Sequence, residues 1–358
     1  MNNIPYLLAL HSIDGLGPIR LKAILDYFKD PKIAWEASIR EIREIGVPQN
    51  VVDLLVETRK KLDPQAYAQS IKGADIKWLT IFDEDYPKLL SQIYDPPVVL
   101  YYKGQADVLN TKSIAVVGTR KMTGYGKAVT EQFSQELVDA GLTIVSGLAR
   151  GVDTQAHKSA LDASGRTIAV LGGGLNKIFP PENTDLAEKI ASGFGAVISE
   201  FPPDHPSLPG NFPSRNRIIS GLSLAVLVTE AAEDSGSLIT ARLALEQGRE
   251  VFAVPGPITS KLSKGPIDLI REGAKAVYQT QDVLDELNIK VSTVSKISQE
   301  ELSEEERKVL EILENETKHI DEIGRMLNFS SAQISAILLK MEITGVIISL
   351  GGGNYCSR

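Results

Sequence analysis

The stretch SIAVVGTR, residues 113–120, is the clearest indication of the fold class. Small and apolar residues run to Gly118 without polar alternation, which is typical of a strand buried on both faces. Thr123 follows as the cap of the next helix. The same order of strand and helix recurs toward the C-terminus, with strands predicted at LTIVSG (142–147), TIAVLGGG (167–174), AVISE (196–200), LAVLVTEA (224–231), EVFAVPG (250–256) and KAVY (275–278).

Helical segments separate these strands. They are predicted at about residues 125–140, about 152–163, NTDLAEKIA (183–191), SRNRIISG (214–221) and SLITARLALEQG (237–248). Strands that alternate with helices imply right-handed βαβ units and a parallel sheet. The predicted fold class is therefore α/β, a Rossmann-like doubly wound parallel sheet. Ligands of such folds sit at the carboxyl ends of the strands.

The N-terminal segment, residues 1–70, predicts a tandem helix–hairpin–helix (SAM-like) domain. A Gly-Leu-Gly turn at residues 15–17 separates two apolar-periodic runs, and Gly46 separates another pair. Glycines in such hairpins let backbone N–H groups approach a phosphate, although tight turns in a small helical domain explain them equally well. The aromatic- and proline-rich segment 78–102 is predicted to pack on the next domain, and we predict that this domain extends from residue 75 to residue 285.

The C-terminal region predicts a winged helix at residues 303–358, after an acidic linker at residues 286–302. The run Ser303-Glu304-Glu305-Glu306 is a capping box that opens a helix. Three helices with a closing hairpin resemble a winged helix. The helices are predicted at residues 304–313, about 320–327 and 331–344, and the hairpin at VIISLGGGNYCSR (346–358).

Charge and composition limit the possible partners. The 358 residues carry a formal net charge of −8, which taken as a whole argues against a nucleic-acid partner. Eleven acidic and four basic residues lie between Gln281 and Glu316, so the remaining chain is near neutral and is able to carry basic patches. No apolar run reaches membrane-span length and the N-terminus lacks a signal-peptide pattern, so we expect a cytoplasmic protein without a membrane partner.

Cysteine and histidine content argues against a metal site. Cys356 is the single cysteine, which excludes internal disulfides and cysteine-rich metal sites. The four histidines lie far apart in sequence and show no ligand spacing. We therefore predict neither a structural metal nor a bound cofactor.

Five loops at the predicted carboxyl edge of the sheet carry residues suited to phosphate. Glycines allow close backbone approach, helix N-termini present free N–H groups, and arginines add permanently charged donors. One such loop is weak evidence, whereas five at one sheet edge are much stronger. The predicted phosphate contacts are Gly118, Thr119, Arg120, Gly147, Arg150, Gly151, Gly174, Lys177, Arg215, Asn216, Arg217, Ser235, Gly236 and Ser237.

Structural explanations stand beside several of these assignments. His157 lies within a predicted helix, so a buried structural histidine is expected there. Glu200 and Glu230 end strands, where either acid is placed to orient an arginine. Structural interpretations stay open for Gly147 and Gly151 as tight turns, for Lys177 as a solvated loop residue and for Arg217 as an ion-pair partner.

A catalytic signature is missing from the sequence. There is no Walker-type lysine loop, and no GxGxxG follows the first strand. No cysteine, histidine or serine is placed as an activated nucleophile, and no carboxylate pair has metal-binding spacing. From the residues alone, the ligand is therefore a nucleotide or a polynucleotide.

Motifs throughout the central domain carry a resemblance to a known family. In order they are VVGTR, SGLARGVDTQAH, TIAVLGGGLNKIFPPEN, SEFPP, FPSRNRIISGLS, TEAAEDSGSLITARLALEQGREVFAVPG and GAKAV. The chain resembles the DNA processing protein A family, also called DprA or Smf. The resemblance implies a non-enzymatic protein that binds single-stranded DNA, protects incoming DNA during natural transformation and helps load the RecA recombinase. It also implies a homodimer formed through the Rossmann-like domain.

The same resemblance implies which residues contact DNA. The family's pocket includes the arginine of the first-strand motif, which is Arg120 here. Many members carry a basic residue where this chain has Pro181, and Lys177 is the nearest candidate for that contact. Phe179 or Phe212 is expected to stack on bases. The remaining family motifs map onto Arg150, residues 215–217 and residues 235–237.

Two other classes of function compete with DNA binding. Nucleoside-monophosphate phosphoribohydrolases share this Rossmann variant and carry a PGGxGTxxE signature, in which Thr240 takes the place of the catalytic glutamate here. Hydrolysis is therefore expected to be lost. A regulatory scaffold would act through the winged helix. The recognition helix of that domain carries only Lys340 against Glu342, so we do not expect it to read duplex DNA directly.

Overall fold

The computed structural model of the chain describes residues 3–289, 303–313, 317–343 and 346–357. The chain divides into two compact units, Met1–Ile289 and Lys290–Arg358. Most of the predicted acidic linker, and Thr344 at the end of the third C-terminal helix, lie outside the described residues. Within the described ranges, no helix combines the length and the apolar character needed to cross a membrane.

Residues 3–76 of the described chain contain six helices: α1 (Ile4–His11), α2 (Pro18–Phe28), α3 (Pro31–Glu36), α4 (Ile39–Glu44), α5 (Gln49–Lys61) and α6 (Pro64–Gly73). Turns at residues 15–17 and at Gly46 separate α1 from α2 and α4 from α5, at the two predicted hairpins. Asp30 and Asp63 accept hydrogen bonds from backbone N–H groups at the starts of α3 and α6, as N-cap residues do.

Nine strands lie in the described residues 77–276: β1 (Lys77–Thr80), β2 (Val99–Gly104), β3 (Ser113–Val117), β4 (Thr143–Ser146), β5 (Thr167–Val170), β6 (Gly195–Ser199), β7 (Ala225–Val228), β8 (Glu250–Ala253) and β9 (Lys275–Ala276). They form one sheet in the order β1-β2-β6-β5-β4-β3-β7-β8-β9. The strands from β6 to β9 in this order are parallel, and Ala115 of β3 lies opposite Val145 of β4 and Val226 of β7. The predicted doubly wound α/β fold is confirmed.

Helices connect the parallel strands: α7 (Gly124–Asp139), α8 (Val152–Asp162), α9 (Thr184–Lys189), α10 (Asn211–Leu222), α11 (Gly236–Glu246) and α12 (Lys264–Arg271). A further helix, α13 (Thr280–Glu286), follows β9. Strands β3 to β6 are added in one direction, and β7 then returns to the other side of β3. The strand order therefore reverses between β3 and β7. In open α/β sheets, the crevice at the carboxyl end of such a reversal is where ligands bind.

The aromatic- and proline-rich segment contains two strands that the sequence prediction did not identify. β1 pairs antiparallel with β2, and β2 pairs antiparallel with β6, with Tyr101 opposite Ser199. Val99, Leu100 and Tyr101 are all fully buried. Because both faces of β2 are covered, its sequence shows no polar alternation, and the turn-rich residues around it hide its strand character.

The N-terminal helices share a hydrophobic core with one face of the sheet. Leu8 of α1 and Ile24 of α2 belong to the same buried cluster as Leu148 and Val197. Burial of one leucine side chain contributes about 1.5–3 kcal/mol to stability, so this shared cluster anchors the helices to the sheet.

The second unit contains α14 (Glu304–Leu313), β10 (Lys318–His319), α15 (Ile320–Leu327), α16 (Ser331–Ile343), β11 (Ile347–Gly351) and β12 (Asn354–Ser357). The backbone N–H of Ser303 donates to the Glu306 carboxylate (2.8 Å), and the N–H of Glu306 donates to the Ser303 hydroxyl (3.2 Å). This is the predicted capping box. Val309, Leu313 and Leu338 lie in a separate buried cluster beneath the three-stranded sheet. The predicted winged helix is confirmed.

Candidate nucleic-acid interface

The loops after β3, β4 and β7 meet at the carboxyl edge of the sheet. The backbone N–H of Thr119 donates to the carbonyl of Glu230 (2.6 Å), and the N–H of Val152 donates to the carbonyl of Thr119 (3.1 Å). These bonds join the end of β3 to the loop after β7 and to the start of α8. The first predicted contact, Gly118–Arg120, is therefore held rigidly at the point where the strand order reverses.

Glycines at this edge are required by protein packing. A Cβ atom at Gly118 would lie 2.6 Å from the carbonyl oxygen of Glu230, and one at Gly147 would lie 2.5 Å from the Arg215 guanidinium. Gly151 has φ of +75° and its Cβ would overlap the backbone of Thr119. Close approach of backbone to protein atoms, without any bound phosphate, thus explains why these positions lack side chains.

Two buried carboxylates occupy the helix starts nearest the strand reversal. Glu230 accepts hydrogen bonds from the backbone N–H (2.8 Å) and the hydroxyl (2.6 Å) of Thr123 at the start of α7. Asp153 accepts from the N–H groups of Gly147 (3.1 Å) and Ala149 (3.4 Å) beside the start of α8. A nucleotide phosphate would normally use these donors. In this chain the protein's own acids already use them.

Arg215 braces the ends of two strands. Its side chain is 4% exposed, and its Nη1 donates to the carbonyls of Gly147 (2.5 Å) and Val170. Burial lowers the pKa of this guanidinium to about 10, while nearby Asp153 opposes that shift. The group therefore stays charged at neutral pH and sets a positive charge directly beneath the loop after β4.

Arg217 lies in an internal ion-pair network. Its side chain is 7% exposed and donates to Asp95 (3.0 Å) through Nε and to Glu200 through Nη2. Burial raises the pKa of the Glu200 carboxyl, and Arg217 opposes that rise. These contacts correspond to the ion-pair interpretation of Arg217 and to an orienting role of Glu200. Asp95 lacks a signal in the sequence because it is 122 positions from Arg217.

Arg215 also belongs to a cluster of two cations and two aromatic rings, of which Arg120 and Phe179 are exposed. The Arg120 guanidinium lies 5.5 Å from the centroid of the Phe212 ring, and Arg215 lies 5.9 Å from the same centroid. The Phe179 ring, 44% exposed, lies 6.0 Å from Phe212. We call Arg120, Phe179, Phe212 and Arg215 the Phe212 cluster. It offers a charged donor and aromatic faces side by side, which are the groups that hold a phosphate and an unstacked base.

Arg150 is exposed but already has an anionic partner. It forms an ion pair with Glu182, a residue that the sequence prediction did not single out. The Glu182 hydrogen bond raises the pKa of Arg150, and Arg150 lowers the pKa of Glu182. Asn183 fixes this segment, because its Nδ2 donates to the Leu148 carbonyl and to the Thr154 hydroxyl (both 2.8 Å).

The start of α11 is joined to α10. The Ser235 hydroxyl accepts from the N–H of Ser237 (3.4 Å) and lies 2.8 Å from its hydroxyl. The Asn216 side chain donates to the carbonyl of Gly236 (3.3 Å). Asn216 therefore positions the loop that carries Ser235, Gly236 and Ser237.

Comparison with known proteins decides the family. A family model described as DNA recombination-mediator protein A matches residues 77–288, more than half of the chain. The chain belongs to this family. A second model, the DprA winged helix domain, matches residues 295–353. The resemblance deduced from the sequence motifs is confirmed.

Relatives within the DNA recombination-mediator protein A family match between 60% and 99% of the chain. Protein Smf from Synechocystis sp. is 36% identical over 392 residues, which cover 99% of this chain and 98% of the relative. The X-ray structure of DNA processing protein A from Streptococcus pneumoniae has a TM-score of 0.71 at 40% identity, covering 80% of this chain and 99% of that chain. DNA processing protein A from Helicobacter pylori, solved to describe its single-stranded DNA binding mode, has a TM-score of 0.54 at 33% identity and covers 60% and 95% of the two chains.

The predicted contacts of this family member differ in exposure. Arg120, Arg150, Lys177 and Gly236 are exposed and able to meet a ligand, and Gly118, Gly151 and Ser235 are partly buried. The remaining contacts are buried: Thr119, Gly147, Gly174, Arg215, Asn216, Arg217 and Ser237. The family motifs therefore combine residues that face solvent with residues that support them.

Proposed function

We propose that this chain binds single-stranded DNA along the carboxyl edge of its sheet, with the Phe212 cluster as the central contact. The observation that carries the proposal is the exposed Arg120 guanidinium 5.5 Å from the Phe212 ring centroid. A permanent cation beside an aromatic ring matches a phosphate next to an unstacked base. The Helicobacter pylori relative, described by its single-stranded DNA binding mode, supports the same ligand.

Within this proposal, exposed and buried residues have different roles. Arg120, Arg150 and Lys177 neutralise phosphates, and Phe179 and Phe212 stack on bases. The hydroxyls and N–H groups at residues 235–237 add donors at the start of α11. The buried members position these groups. Arg215 does so through its hydrogen bonds to strand-end carbonyls, Arg217 through its ion pairs with carboxylates, and Asn216 through its hydrogen bond at the start of α11.

We further propose that the strand is delivered to the RecA recombinase during recombination and natural transformation, in the cytoplasm, by a homodimer formed through the Rossmann-like domain. This part rests on membership of the recombination-mediator family. A purely binding role, without catalysis, agrees with the replacement of the hydrolase glutamate by Thr240. That residue is buried within α11.

Replacement of Arg120 tests the binding site. We expect Arg120→Ala to weaken binding of an oligothymidine by about 1–3 kcal/mol, because one charge-assisted phosphate contact is lost. Fluorescence anisotropy at several salt concentrations measures the affinity and the slope of log affinity against log salt concentration. The magnitude of this slope should decrease by about one, because about one fewer counterion is released. A duplex of equal length should bind less tightly.

Arg166→Ala provides the matched control. Arg166 is half exposed and precedes β5 at the opposite edge of the same sheet. The Arg166→Ala substitution removes the same charge at a distance from the Phe212 cluster, so the affinity for oligothymidine should change by no more than about twofold. Equal losses in the two variants, or none in Arg120→Ala, contradict the proposed site.

A further inference from the structure

A second cavity lies on the other side of α10 from Phe212. It has a volume of about 250 Å³ and opens between the first N-terminal hairpin, residues 13–18, and the loop that follows β6. Ser214 and Arg217 of α10 contribute to its wall, whereas Phe212 and Arg120 do not line it. The cavity is therefore separate from the Phe212 cluster, although both border the N-terminal half of the same helix.

Two side chains at the inner wall of this cavity each have one buried polar atom without a partner. Arg217 and Glu200 both line the cavity, at 7% and 8% exposure. Nη1 of Arg217 and Oε1 of Glu200 make no hydrogen bond within the described residues, although the two side chains are paired through their other atoms. An unpaired buried polar atom costs about 1–3 kcal/mol. Both atoms are buried below the cavity surface, so a ligand that supplies one acceptor and one donor gains that free energy when the two side chains turn these atoms toward it.

Flat rings form another wall. The rings of Phe201 and His205 are stacked, with centroids 4.9 Å apart and planes within 12°. His11 lies across the cavity, and burial together with His205 lowers its pKa to about 4, so its ring is neutral at neutral pH. The rim carries Asp14, which is mostly exposed and 3.6 Å from His205. Planar apolar faces and an acidic rim favour an uncharged flat ligand over a phosphate.

We propose that this cavity receives one unpaired nucleobase, preferentially guanine. The Watson–Crick edge of guanine places the O6 acceptor beside the N1–H and N2–H donors, which complements an arginine N–H next to a carboxylate oxygen. Stacking on an aromatic face is how unpaired bases are held in single-strand complexes. The base comes from the DNA strand that binds at the Phe212 cluster, so this inference rests on the proposed function.

Gly17→Trp tests the cavity. Gly17 lines it, and a Cβ atom there meets nothing within 4 Å, so a large side chain is accommodated at the cavity wall without disturbing the fold and should obstruct the cavity. Gly73→Trp is the matched control, because Gly73 is equally open and lies outside the cavity. Saturation-transfer NMR with deoxyguanosine, deoxyadenosine, deoxycytidine and thymidine should show the strongest signal for deoxyguanosine. That signal should be lost in Gly17→Trp and kept in Gly73→Trp and in Arg120→Ala.

A second measurement identifies the source of the base. One guanine placed in an oligothymidine should increase wild-type affinity by about fivefold or more, the lower end of the range for one stacked base. Gly17→Trp should lose this gain and keep its affinity for plain oligothymidine. If Gly17→Trp loses the deoxyguanosine signal but the added guanine does not increase the affinity of wild type for the oligonucleotide, the cavity binds a free nucleobase compound and not a base of the DNA strand. Failure of all oligothymidine binding would instead contradict the proposed function and leave the nucleoside result standing.

His205→Ala supplies an independent variant, because it removes one of the two stacked rings and leaves the backbone bond from Gly174 to the His205 carbonyl. Circular dichroism checks that both variants fold. A deoxyguanosine signal that persists in Gly17→Trp and in His205→Ala, or equal signals for all four nucleosides in wild type, overturns the assignment.

Discussion

Arg150 shows how one neighbouring carboxylate controls what an exposed arginine offers to DNA. Its guanidinium is exposed at the carboxyl edge, but Glu182 forms an ion pair with it. Glu182 directly follows Pro181, the position at which the family resemblance led us to expect a basic residue. This chain therefore has an acid beside the position of that expected cation.

Glu182→Gln should increase affinity for single-stranded DNA by about twofold to fivefold, because it frees Arg150 and removes a charge that repels phosphate. Glu188→Gln is the control, since it removes the same charge from the adjacent helix α9 and leaves the Arg150 pair intact. Anisotropy at low salt measures both. An increase of equal size in Glu188→Gln would attribute the effect to net charge alone.

At the scale of one element, the start of α7 depends on a carboxylate from another strand end. Glu230 caps Thr123, and its side chain lies where a Cβ atom of Gly126 would be. Gly126 thus makes room for the acid that accepts the N–H of the N-cap residue Thr123. Gly124, two positions earlier in the same helix, has open space around it.

Gly126→Ala should destabilise the protein by about 1–3 kcal/mol, even though alanine is favoured over glycine inside helices by about 1 kcal/mol. The added methyl displaces the buried Glu230 carboxylate from Thr123, and this loss exceeds the gain in helix propensity. Gly124→Ala should be neutral or slightly stabilising. Urea unfolding of the two variants gives the comparison, and equal stabilities would show that Glu230 relaxes without loss.

On the scale of the whole molecule, the two units have separate hydrophobic cores. The recognition helix α16 brings little positive charge, because Lys340 lies 2.8 Å from the Glu306 carboxylate. We therefore expect removal of residues 303–358 to leave affinity for single-stranded DNA within about threefold. The anisotropy titration used for Arg120→Ala checks this. A loss of several kcal/mol would move the main site to the winged helix.

Acid should destabilise the first unit through its buried histidines. His157 is fully buried with Nδ1 2.7 Å from the Thr167 hydroxyl, and burial lowers its pKa to about 3. The unfolded chain takes up this proton near pH 6.5 and the folded chain does not. The contribution to stability is therefore complete above pH 6.5 and falls as pH decreases, by up to about 1.4 kcal/mol per pH unit.

His157→Leu should reduce the fall of unfolding free energy between pH 6.5 and 5 by about half, because His11, whose pKa is also lowered to about 4, keeps its own share. Ordinary carboxylates stay ionised in this window. His319→Asn, at a partly exposed position of the second unit, should leave the slope unchanged. Urea titrations at a series of pH values measure the slope. An unchanged slope in His157→Leu would assign the pH dependence to other groups.

Local patterns in the sequence were sufficient for most elements of the fold. Continuous apolar runs such as residues 113–117 predict strands that two helical layers cover, and the Ser303–Glu306 capping box places the start of α14. The strands β1 and β2 escaped prediction because β2 is covered on both faces and has prolines beside it. The division of the first unit at about residue 70 stays a prediction, since its helices share a core with the sheet.

Sequence patterns alone are sufficient to predict the Rossmann-like sheet, the winged helix, the family and the loops of the candidate site, because these depend on short-range periodicity and on motifs in a fixed order. What each charged residue does follows only from its contacts in the folded chain. Arg215 and Arg217 belong to one motif, yet one binds carbonyls 68 and 45 positions away and the other binds carboxylates 122 and 17 positions away. Burial and long-range partners set the role of a charge, and neither is encoded in the neighbouring residues.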